Sequence, residues 1–370
     1  MQKNSTMNIC IVAGARPNFV KVAPIIRAIQ KAADAGRDIS YQLVYAGKED
    51  DPTLEKSLFD DLQMPCPDTY LGVDCENLNQ LTGLVMAGFE HYLQTHPTDV
   101  VIVVDDLAST LATAIVTKKQ GITLAHLVAG TRSFDINMPK EINRLVIDGL
   151  SDLLFTAGMG SNSTATREGA ELSKIYMVGN ILMDTLRFNH SRLQRPAVLD
   201  ELGVREGDYI VFTLNRKALL ADKENLKDML HAILDNAGGK MVLAPLRSRS
   251  AAVVAELLGS DHPTFKLIKP LSYLQFGYLT AHACGVITDS GNVAEEATFN
   301  NIPCITLNSY TEHIETVKVG SNVLVGEDAQ LLGKAVEDMV TGAWKKCAIP
   351  DRWDGRSAER IVQILLERQS

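Results

Sequence analysis

The feature that most constrains the fold is a repeated alternation of short apolar runs with longer segments of helical spacing. The runs at 9–13 and 100–104 are apolar throughout instead of alternating between apolar and polar residues. Such a strand is buried on both faces, which is typical of a parallel sheet covered by helices. The alternation therefore predicts βαβ crossovers and doubly wound sheets.

The same alternation occurs in both halves of the 370-residue chain. A chain of this length corresponds to more than two average domains of ~150 residues. We predict an α/β fold of two Rossmann-like, doubly wound parallel-sheet domains, 1–183 and 184–370, with a cleft between them. The last helical pattern, at 357–367, could pack on either domain. Further strands are predicted at 41–45, 123–128, 153–156, 175–178, 209–213, 240–244, 265–268, 285–288 and 304–307.

Composition narrows the classes of partner. A net charge of −9 argues against electrostatic binding of a nucleic-acid backbone, and 6% aromatic residues leave few side chains for stacking on bases. No apolar stretch approaches the ~18 residues that span a bilayer. The six cysteines form no Cys-x-x-Cys pair. We therefore expect no nucleic-acid or membrane partner, and a cytoplasmic protein with reduced thiols.

Ligands of open α/β sheets bind beyond the carboxyl ends of the strands, so the loops there are candidate sites. After the first strand, Arg16 and Lys21 lie beside a predicted helix start, which suits a phosphate, although a solvated turn also fits. Asp105 and Asp106 follow the strand at 100–104 and could act as general acid or base, or could cap the next helix. Because no metal-binding motif accompanies these carboxylates, we expect no metal.

Three further segments, two in the first half of the chain and one in the second, are candidate ligand-binding sites. The loop and helix at 126–144 contain Glu141 and Arg144, and the segment at 158–163 lacks the third glycine of a dinucleotide fingerprint. In the second half, Ser290 and Gly291 lie between a strand and a helix, where backbone N–H groups could bind a diphosphate. A glutamate of that helix could accept hydrogen bonds from ribose hydroxyls. Together these signals indicate a nucleotide-sugar.

Taken in order, these motifs resemble the non-hydrolysing UDP-N-acetylglucosamine 2-epimerases. The resemblance implies a GT-B-like fold, a UDP-HexNAc ligand and a homodimer. It also implies interconversion of UDP-GlcNAc and UDP-ManNAc by elimination and re-addition of UDP, without metal or redox cofactor. The matching segments are Gly14-Ala15-Arg16-Pro17 with Lys21, His126-x-x-Ala129-Gly130-x-Arg132-Ser133, Pro139-x-Glu141-Ile142-Asn143-Arg144, Val178-Gly179-Asn180, Thr288-Asp289-Ser290-Gly291 with Glu295-Glu296, and Thr311-Glu312.

The resemblance also implies roles for individual residues. Ser290 and Gly291 would contact the phosphate groups. Glu296 would bind the ribose, and Phe276 would lie near the uracil. Asp106 and Glu141 are the implied catalytic carboxylates. The implied substrate-binding residues are Arg16, Lys21, Arg144, Asn215, Phe276, Ser290, Gly291, Asn292, Glu296 and His313.

Several positions depart from the family pattern. Val128 and Lys140 stand in place of two glutamates, and Asn215 stands in place of a histidine. His313 stands in place of a diphosphate-binding arginine of the family pattern. Gly291-Asn292 replaces a Gly-Gly pair, and Asp105-Asp106 replaces a Gly-Asp pair. Moving the C2 proton needs a positioned base, and each acid–base group typically contributes ~10²–10⁴-fold. The substitutions therefore indicate altered chemistry.

Two functions of different classes follow from this pattern. The first is an enzyme on a UDP-sugar, either a 2-epimerase or a relative that acts on another UDP-HexNAc, with Asp106 as the main remaining carboxylate. The second is a catalytically impaired UDP-sugar-binding protein, such as a regulatory or partner subunit. A GT-B glycosyltransferase is less well supported, because the motifs resemble the epimerases in particular.

Overall fold

The computed structural model describes residues 6–259 and 261–369 and divides the chain into two compact units. The first unit runs to Phe188 and resumes at Asp351, and the second is Asn189–Pro350. The final helix therefore belongs to the first unit. Each unit contains one doubly wound parallel sheet, which confirms the predicted fold class. Within the described residues, no helix combines the length and apolar character needed to cross a membrane.

The first unit has a seven-stranded sheet in the order β3-β2-β1-β4-β5-β6-β7, with every neighbouring pair parallel. The sequence did not assign β3 or α3. Its elements are β1 (Met7–Ala13), α1 (Arg16–Asp34), β2 (Ile39–Tyr45), α2 (Lys56–Leu62), β3 (Thr69–Tyr70), α3 (Leu78–Thr95), β4 (Val100–Val104), α4 (Ala108–Lys119), β5 (Thr123–Ala129), α5 (Pro139–Leu150), β6 (Leu153–Thr156), α6 (Met159–Arg167), a 3-10 helix (Leu172–Lys174), β7 (Ile175–Met177), α7 (Ile181–Asn189) and the C-terminal α16 (Ser357–Gln369).

The second unit has a six-stranded sheet in the order β10-β9-β8-β11-β12-β13, again with parallel neighbours. Strand β13 was not assigned from the sequence. The elements are a 3-10 helix (His190–Arg192), α8 (Val198–Glu201), β8 (Tyr209–Phe212), α9 (Lys217–Ala221), α10 (Lys223–Asn236), β9 (Met241–Ala244), α11 (Ser248–Leu258), β10 (Phe265–Leu267), α12 (Tyr273–Ala281), β11 (Gly285–Thr288), α13 (Gly291–Phe299), β12 (Cys304–Thr306), α14 (Glu315–Lys318), β13 (Asn322–Leu324) and α15 (Ala329–Thr341).

The strand order defines one crevice in each unit. In both sheets the crossovers reverse direction beside the first strand, between β1 and β4 and between β8 and β11. Loops that leave the carboxyl ends of two such strands diverge to opposite faces, and ligands of open α/β sheets bind between them. In the first unit these loops are 14–15 and 105–107, and in the second they are 213–216 and 289–290.

Helix α5 is unusual because it buries its polar side. Glu141, Arg144 and Asp148 follow one another at spacings of three and four residues, which places them on one face. All three are buried. The opposite side of the helix carries the exposed apolar residues Ile142, Leu145 and Val146. The helix therefore turns charged groups toward the end of the sheet, where the loops of the crevice lie.

Candidate functional site

The turn after β1 is closely packed against helix α4. A Cβ atom on Gly14 would overlap the Oγ of Ser109, so glycine is required there for space. The Asn18 side chain closes the turn, because its Oδ1 accepts hydrogen bonds from the N–H groups of Gly14 (2.9 Å) and Ala15 (3.3 Å). Arg16 is the first residue of α1 and is half-buried. The loop thus holds Arg16 at a helix N-terminus, as the sequence predicted.

Lys21 is buried and ion-paired with the neighbouring loop of the crevice. Its Nζ lies 2.6 Å from Asp105 Oδ1, and Asn18 Nδ2 donates to Asp105 Oδ2 at 2.8 Å. Asp105 has φ = +59°, in the left-handed region that aspartate tolerates better than most residues. Glycine would adopt this backbone without strain. The two loops of the first crevice are joined through Lys21, Asn18 and Asp105.

Asp106 and Arg144 form a buried ion pair. Arg144 Nη2 lies 2.6 Å from Asp106 Oδ2, and Arg144 Nε donates to the same oxygen at 2.8 Å. Lys140, which is largely exposed, has its Nζ 3.5 Å from Asp106 Oδ1. Asn143 Nδ2 donates to the Asp106 carbonyl oxygen at 2.8 Å. The structure therefore brings together the predicted Asp106 and Arg144, with Lys140 beside them.

Glu141 is buried among hydrogen-bond donors. Its Oε2 accepts bonds from the Ser133 N–H, the Ser133 hydroxyl and Arg144 Nη1, each at 3.0 Å. Its Oε1 accepts a bond from the Phe134 N–H at 2.8 Å. Burial alone would raise the pKa of Glu141, but these donors hold it below its ordinary value. A carboxylate in this state orders the loop at 131–138 and is a weak proton acceptor.

Val128 occupies a strained position at the end of β5. The pairing of β5 with β6 shifts register between Leu127 and Ala129, so Val128 lies in a bulge. Its φ of +70° is rare for a β-branched residue and costs on the order of 1–3 kcal/mol. Bulges next to active sites re-aim single side chains. Val128 is thus specially oriented at the end of β5, although valine has no acid–base group.

In the second unit, Asp289 joins the two loops of the crevice. Its Oδ2 accepts hydrogen bonds from the backbone N–H groups of Asn215 (2.7 Å) and Arg216 (2.6 Å). Arg216 is ion-paired with Glu327 at 2.5 Å. The predicted Asn215 is exposed at the end of this loop. Asp289 belongs to a motif identified in the sequence but was assigned no role of its own, although its place directly after β11 was a usable signal.

Helix α13 starts at the predicted phosphate position. Ser290 is its N-cap residue, and the Ser290 side chain makes no capping hydrogen bond. A Cβ atom on Gly291 would have no described heavy atom within 4 Å, so the space beside the helix start is open. Asn292 follows in the first turn and is half-buried. Backbone N–H groups at such a start, together with the helix dipole, favour an anion.

Glu296 lies one turn further along α13 and is buried. Its side-chain carboxyl makes no hydrogen bond to any residue in 6–259 or 261–369. Burial, with a smaller effect from the neighbouring Glu295, raises the pKa of Glu296 to about 8. A buried carboxyl without a partner is costly for the folded protein. It can be satisfied by hydroxyl donors of a ligand.

The last two predicted residues of this unit contribute differently. His313 is buried, and its Nε2 lies 3.6 Å from Oε1 of Glu295 in helix α13. Phe276 lies on α12, where it packs against a buried apolar cluster that includes Leu279 and Val286. The structure thus brings Ser290, Gly291, Asn292, Glu296 and His313 together around one helix. Phe276 belongs to a separate element.

Asp148 is a buried charged residue that sequence reasoning missed. Its carboxylate contacts His126 and Arg132 at 2.6 and 2.7 Å, and Arg132 is also paired with Glu168. The signal was present, because Glu141, Arg144 and Asp148 share the spacing of one helix face. The described residues include no group of three or more His, Cys, Asp or Glu side chains suited to a metal ion.

Comparisons with known proteins identify the family of this chain. The family model for UDP-N-acetylglucosamine 2-epimerase matches residues 31–366. The chain is 34% identical to a UDP-N-acetylglucosamine 2-epimerase of Methanocaldococcus jannaschii, over 97% of this chain and 99% of that protein. It is 33% identical to a UDP-2,3-diacetamido-2,3-dideoxy-D-glucuronate 2-epimerase of Pseudomonas aeruginosa, over 90% of this chain and 94% of that protein.

Solved structures show the same fold. The M. jannaschii enzyme in complex with UDP-GlcNAc and UDP is similar with a TM-score of 0.84, covering 98% of this chain and 100% of that chain. The Neisseria meningitidis enzyme, at 24% identity, has a TM-score of 0.86 over 98% of this chain and 100% of that chain. These similarities confirm the GT-B-like fold class and an epimerase-like protein. The chain belongs to the UDP-N-acetylglucosamine 2-epimerase family.

Proposed function

We propose that this chain binds a UDP-N-acetylhexosamine, with the nucleotide at helix α13. The observation that carries the proposal is the buried, unpartnered Glu296 on the same helix as the open start at Ser290 and Gly291. The helix start suits the diphosphate, and the Glu296 carboxylate suits two ribose hydroxyls. The M. jannaschii relative, crystallised with UDP-GlcNAc and UDP, supports the same ligand.

Calorimetry with UDP and 2′-deoxy-UDP tests this proposal. If Glu296 accepts hydrogen bonds from both ribose hydroxyls, the wild-type protein should bind UDP at least ~10-fold more tightly than the deoxy form at pH 9. At that pH the Glu296 carboxyl is ionised, and hydrogen bonds to a charged group are worth ~1.5–3 kcal/mol. Glu296→Leu should remove that preference. Glu224→Gln, a change at an exposed residue of α10, should leave it intact. Equal affinity of the wild-type protein for the two nucleotides would contradict the proposed role of Glu296.

We further propose that the chain interconverts UDP-GlcNAc and UDP-ManNAc, with Asp106 as the acid–base carboxylate. In this reaction the C2 proton moves to a base as the bond between C1 and UDP breaks, and a 2-acetamidoglucal forms. UDP then adds back, and a proton returns to the opposite face of C2. Family membership supports the reaction. Glu141 accepts four hydrogen bonds, so its part is to order the loop rather than to take the proton.

An Asp106→Asn variant tests that assignment. Loss of one acid–base group should lower the rate of UDP-ManNAc formation ~10²–10⁴-fold, with UDP affinity unchanged. Asp135→Asn, at an exposed position of the loop that follows β5, is the matched control and should keep the wild-type rate. An Asp106→Asn protein with the wild-type rate would assign the chemistry to another group.

A second candidate function is UDP-sugar binding without turnover. It is favoured by one specific observation, the presence of Val128, Lys140 and Asn215 at positions where the family pattern has acid–base residues. Tight binding of UDP-GlcNAc without exchange of the C2 proton would select this function. The substrate could also be a different UDP-sugar, as the name of the P. aeruginosa relative illustrates. Turnover of a diacetamido uronate but not of UDP-GlcNAc would select that alternative.

We also propose that the chain is a cytoplasmic homodimer. The exposed apolar side of α5, formed by Ile142, Leu145 and Val146, supports a protein partner, because such patches commonly mark interfaces. Six free cysteines support a reducing compartment. Light scattering after gel filtration should give twice the 40.4 kDa mass of the chain. A monomer at micromolar concentration would contradict the dimer.

A further inference from the structure

His126 lies at the centre of a buried hydrogen-bond chain in the first unit. Its side chain is 1% exposed. Its Nδ1 is 2.6 Å from Asp148 Oδ1, and its Nε2 is 2.9 Å from the carbonyl oxygen of Asp105. Nδ1 thus faces a carboxylate oxygen and Nε2 faces a backbone carbonyl oxygen. The ring therefore links helix α5 to the turn after β4.

Asp148 is held firmly behind the ring. Its Oδ2 accepts a hydrogen bond from the Gly130 N–H at 3.0 Å and lies 2.7 Å from Arg132 Nη2. Burial alone would raise the pKa of Asp148, but the neighbouring His126 and Arg132 hold it below its ordinary value. The carboxylate thus contacts the imidazole, the loop after β5 and a buried guanidinium at once. Such a fully bonded anion is a rigid support for the ring.

The turn that receives the ring carries the proposed acid–base carboxylate. Asp105 has φ = +59°, a conformation that needs support from its surroundings. Its N–H donates to the Leu127 carbonyl oxygen at 3.3 Å, and its own carbonyl oxygen accepts the bond from His126. The next residue is Asp106. The direction of the Asp106 side chain therefore depends on a peptide unit that His126 anchors.

We propose that the Asp148–His126 pair positions the turn at 105–106 and thereby orients the carboxylate of Asp106. The hydrogen bonds of His126 and Asp148 go to each other, to Asp105 and to Gly130, and Asp148 is also paired with Arg132. Both residues therefore act on Asp106 through the backbone and are positioning residues. The inference rests on the proposed function of Asp106. A misplacement of a reacting group by ~1 Å can cost ~10²-fold in rate. The pair should accordingly affect turnover more than nucleotide binding.

Kinetics of four variants test this inference. His126→Phe keeps a planar ring but removes both ring nitrogens, and it should lower kcat for UDP-GlcNAc ~10–100-fold with KM within about two-fold. Asp148→Ala should behave in the same way. In Asp148→Asn the side-chain oxygen can still accept from Gly130 while the NH₂ group donates to the ring, so kcat should recover to within a few-fold. His91→Phe, an exposed change on α3, is the matched control and should be silent.

Hydrogen–deuterium exchange supplies a readout that does not depend on turnover. In His126→Phe, the amides at 104–107 should exchange at least ~10-fold faster, whereas those at 100–103 should keep the wild-type rates. If the wild-type protein shows no turnover of UDP-GlcNAc, the proposed function is contradicted. Faster exchange confined to 104–107 in His126→Phe would still support the positioning role in that case. Unchanged exchange at 104–107 would overturn the inference. A uniform increase over β4 and β5, with no recovery in Asp148→Asn, would also overturn it, because it indicates general loosening of the unit.

Discussion

Glu296→Gln should stabilise the protein near neutral pH while weakening its binding of UDP. Burial raises the pKa of the Glu296 carboxyl to about 8 in the folded protein, from an ordinary value of 4.5. At any pH between these two pKa values, the unfolded chain has released the Glu296 proton, whereas the folded chain keeps it. The free energy of unfolding therefore decreases as pH rises through this window, by about 1.4 kcal/mol per pH unit. At pH 7 the accumulated loss is about 3 kcal/mol.

Glutamine has a similar shape and does not titrate. The Glu296→Gln variant should therefore not lose unfolding free energy in this way as the pH rises. Urea unfolding at pH 5, 6, 7 and 8, followed by circular dichroism, should show a growing advantage of the variant over the wild-type protein. Taking the difference at each pH cancels the titration of all other groups. The advantage should be below about 1 kcal/mol at pH 5 and about 3 kcal/mol at pH 7. Glu224→Gln controls for the loss of one negative charge from the same unit.

A difference that stays constant from pH 5 to pH 8 would refute the reasoning. It would mean that the folded protein releases the Glu296 proton as readily as the unfolded chain does. At pH 9, where the Glu296 carboxyl is ionised, the same variant should bind UDP at least ~10-fold more weakly, because a charged acceptor is replaced by a neutral one. A stabilised protein with weaker binding is the combination expected of a group that is retained for a ligand rather than for the fold.

Three further results are expected. Combining Val128→Glu, Lys140→Glu and Asn215→His should raise the rate of UDP-GlcNAc epimerisation at least ~100-fold, measured by NMR, since three acid–base groups are supplied at once. Arg144→Leu should lower the free energy of unfolding by ~3–5 kcal/mol in urea, because Asp106 and Glu141 lose their buried cation. Burial raises the pKa of Asp184, which accepts N–H bonds at the start of α16, to about 6. From pH 4 to pH 7, Asp184→Asn should therefore gain about 2.4 kcal/mol of stability relative to the wild-type protein in the same assay.

Much of the fold could be predicted because buried parallel strands leave a clear pattern. The run at 100–104 is apolar at every position, and β4 has those same bounds. Strands β3 and β13, of two and three residues, are too short to show a period. Helix α3 was not assigned either, although it has 18 residues. It has few charged residues and buries only three side chains, so its sequence lacks a strong apolar stripe.

The site was harder to predict because its contacts join distant parts of the chain. The loops themselves were identified, since they directly follow strands. That Lys21 pairs with Asp105, and His126 with Asp148, depends on the order of strands in the sheet and on the direction of side chains. The left-handed backbone of Asp105 and Val128 is equally invisible in the sequence, because neither residue type favours it as strongly as glycine does.

The central claim, that the chain performs proton chemistry at C2 of a UDP-sugar, is tested most directly by isotope exchange. UDP-GlcNAc is incubated with the protein in D₂O, and the C2 proton is followed by NMR, with Asp106→Asn as the comparison. The account predicts incorporation of deuterium at C2 together with the appearance of UDP-ManNAc, and a rate at least ~100-fold lower in the variant. Tight binding of UDP-GlcNAc with no deuterium at C2 would contradict it and identify the chain as a UDP-sugar-binding protein.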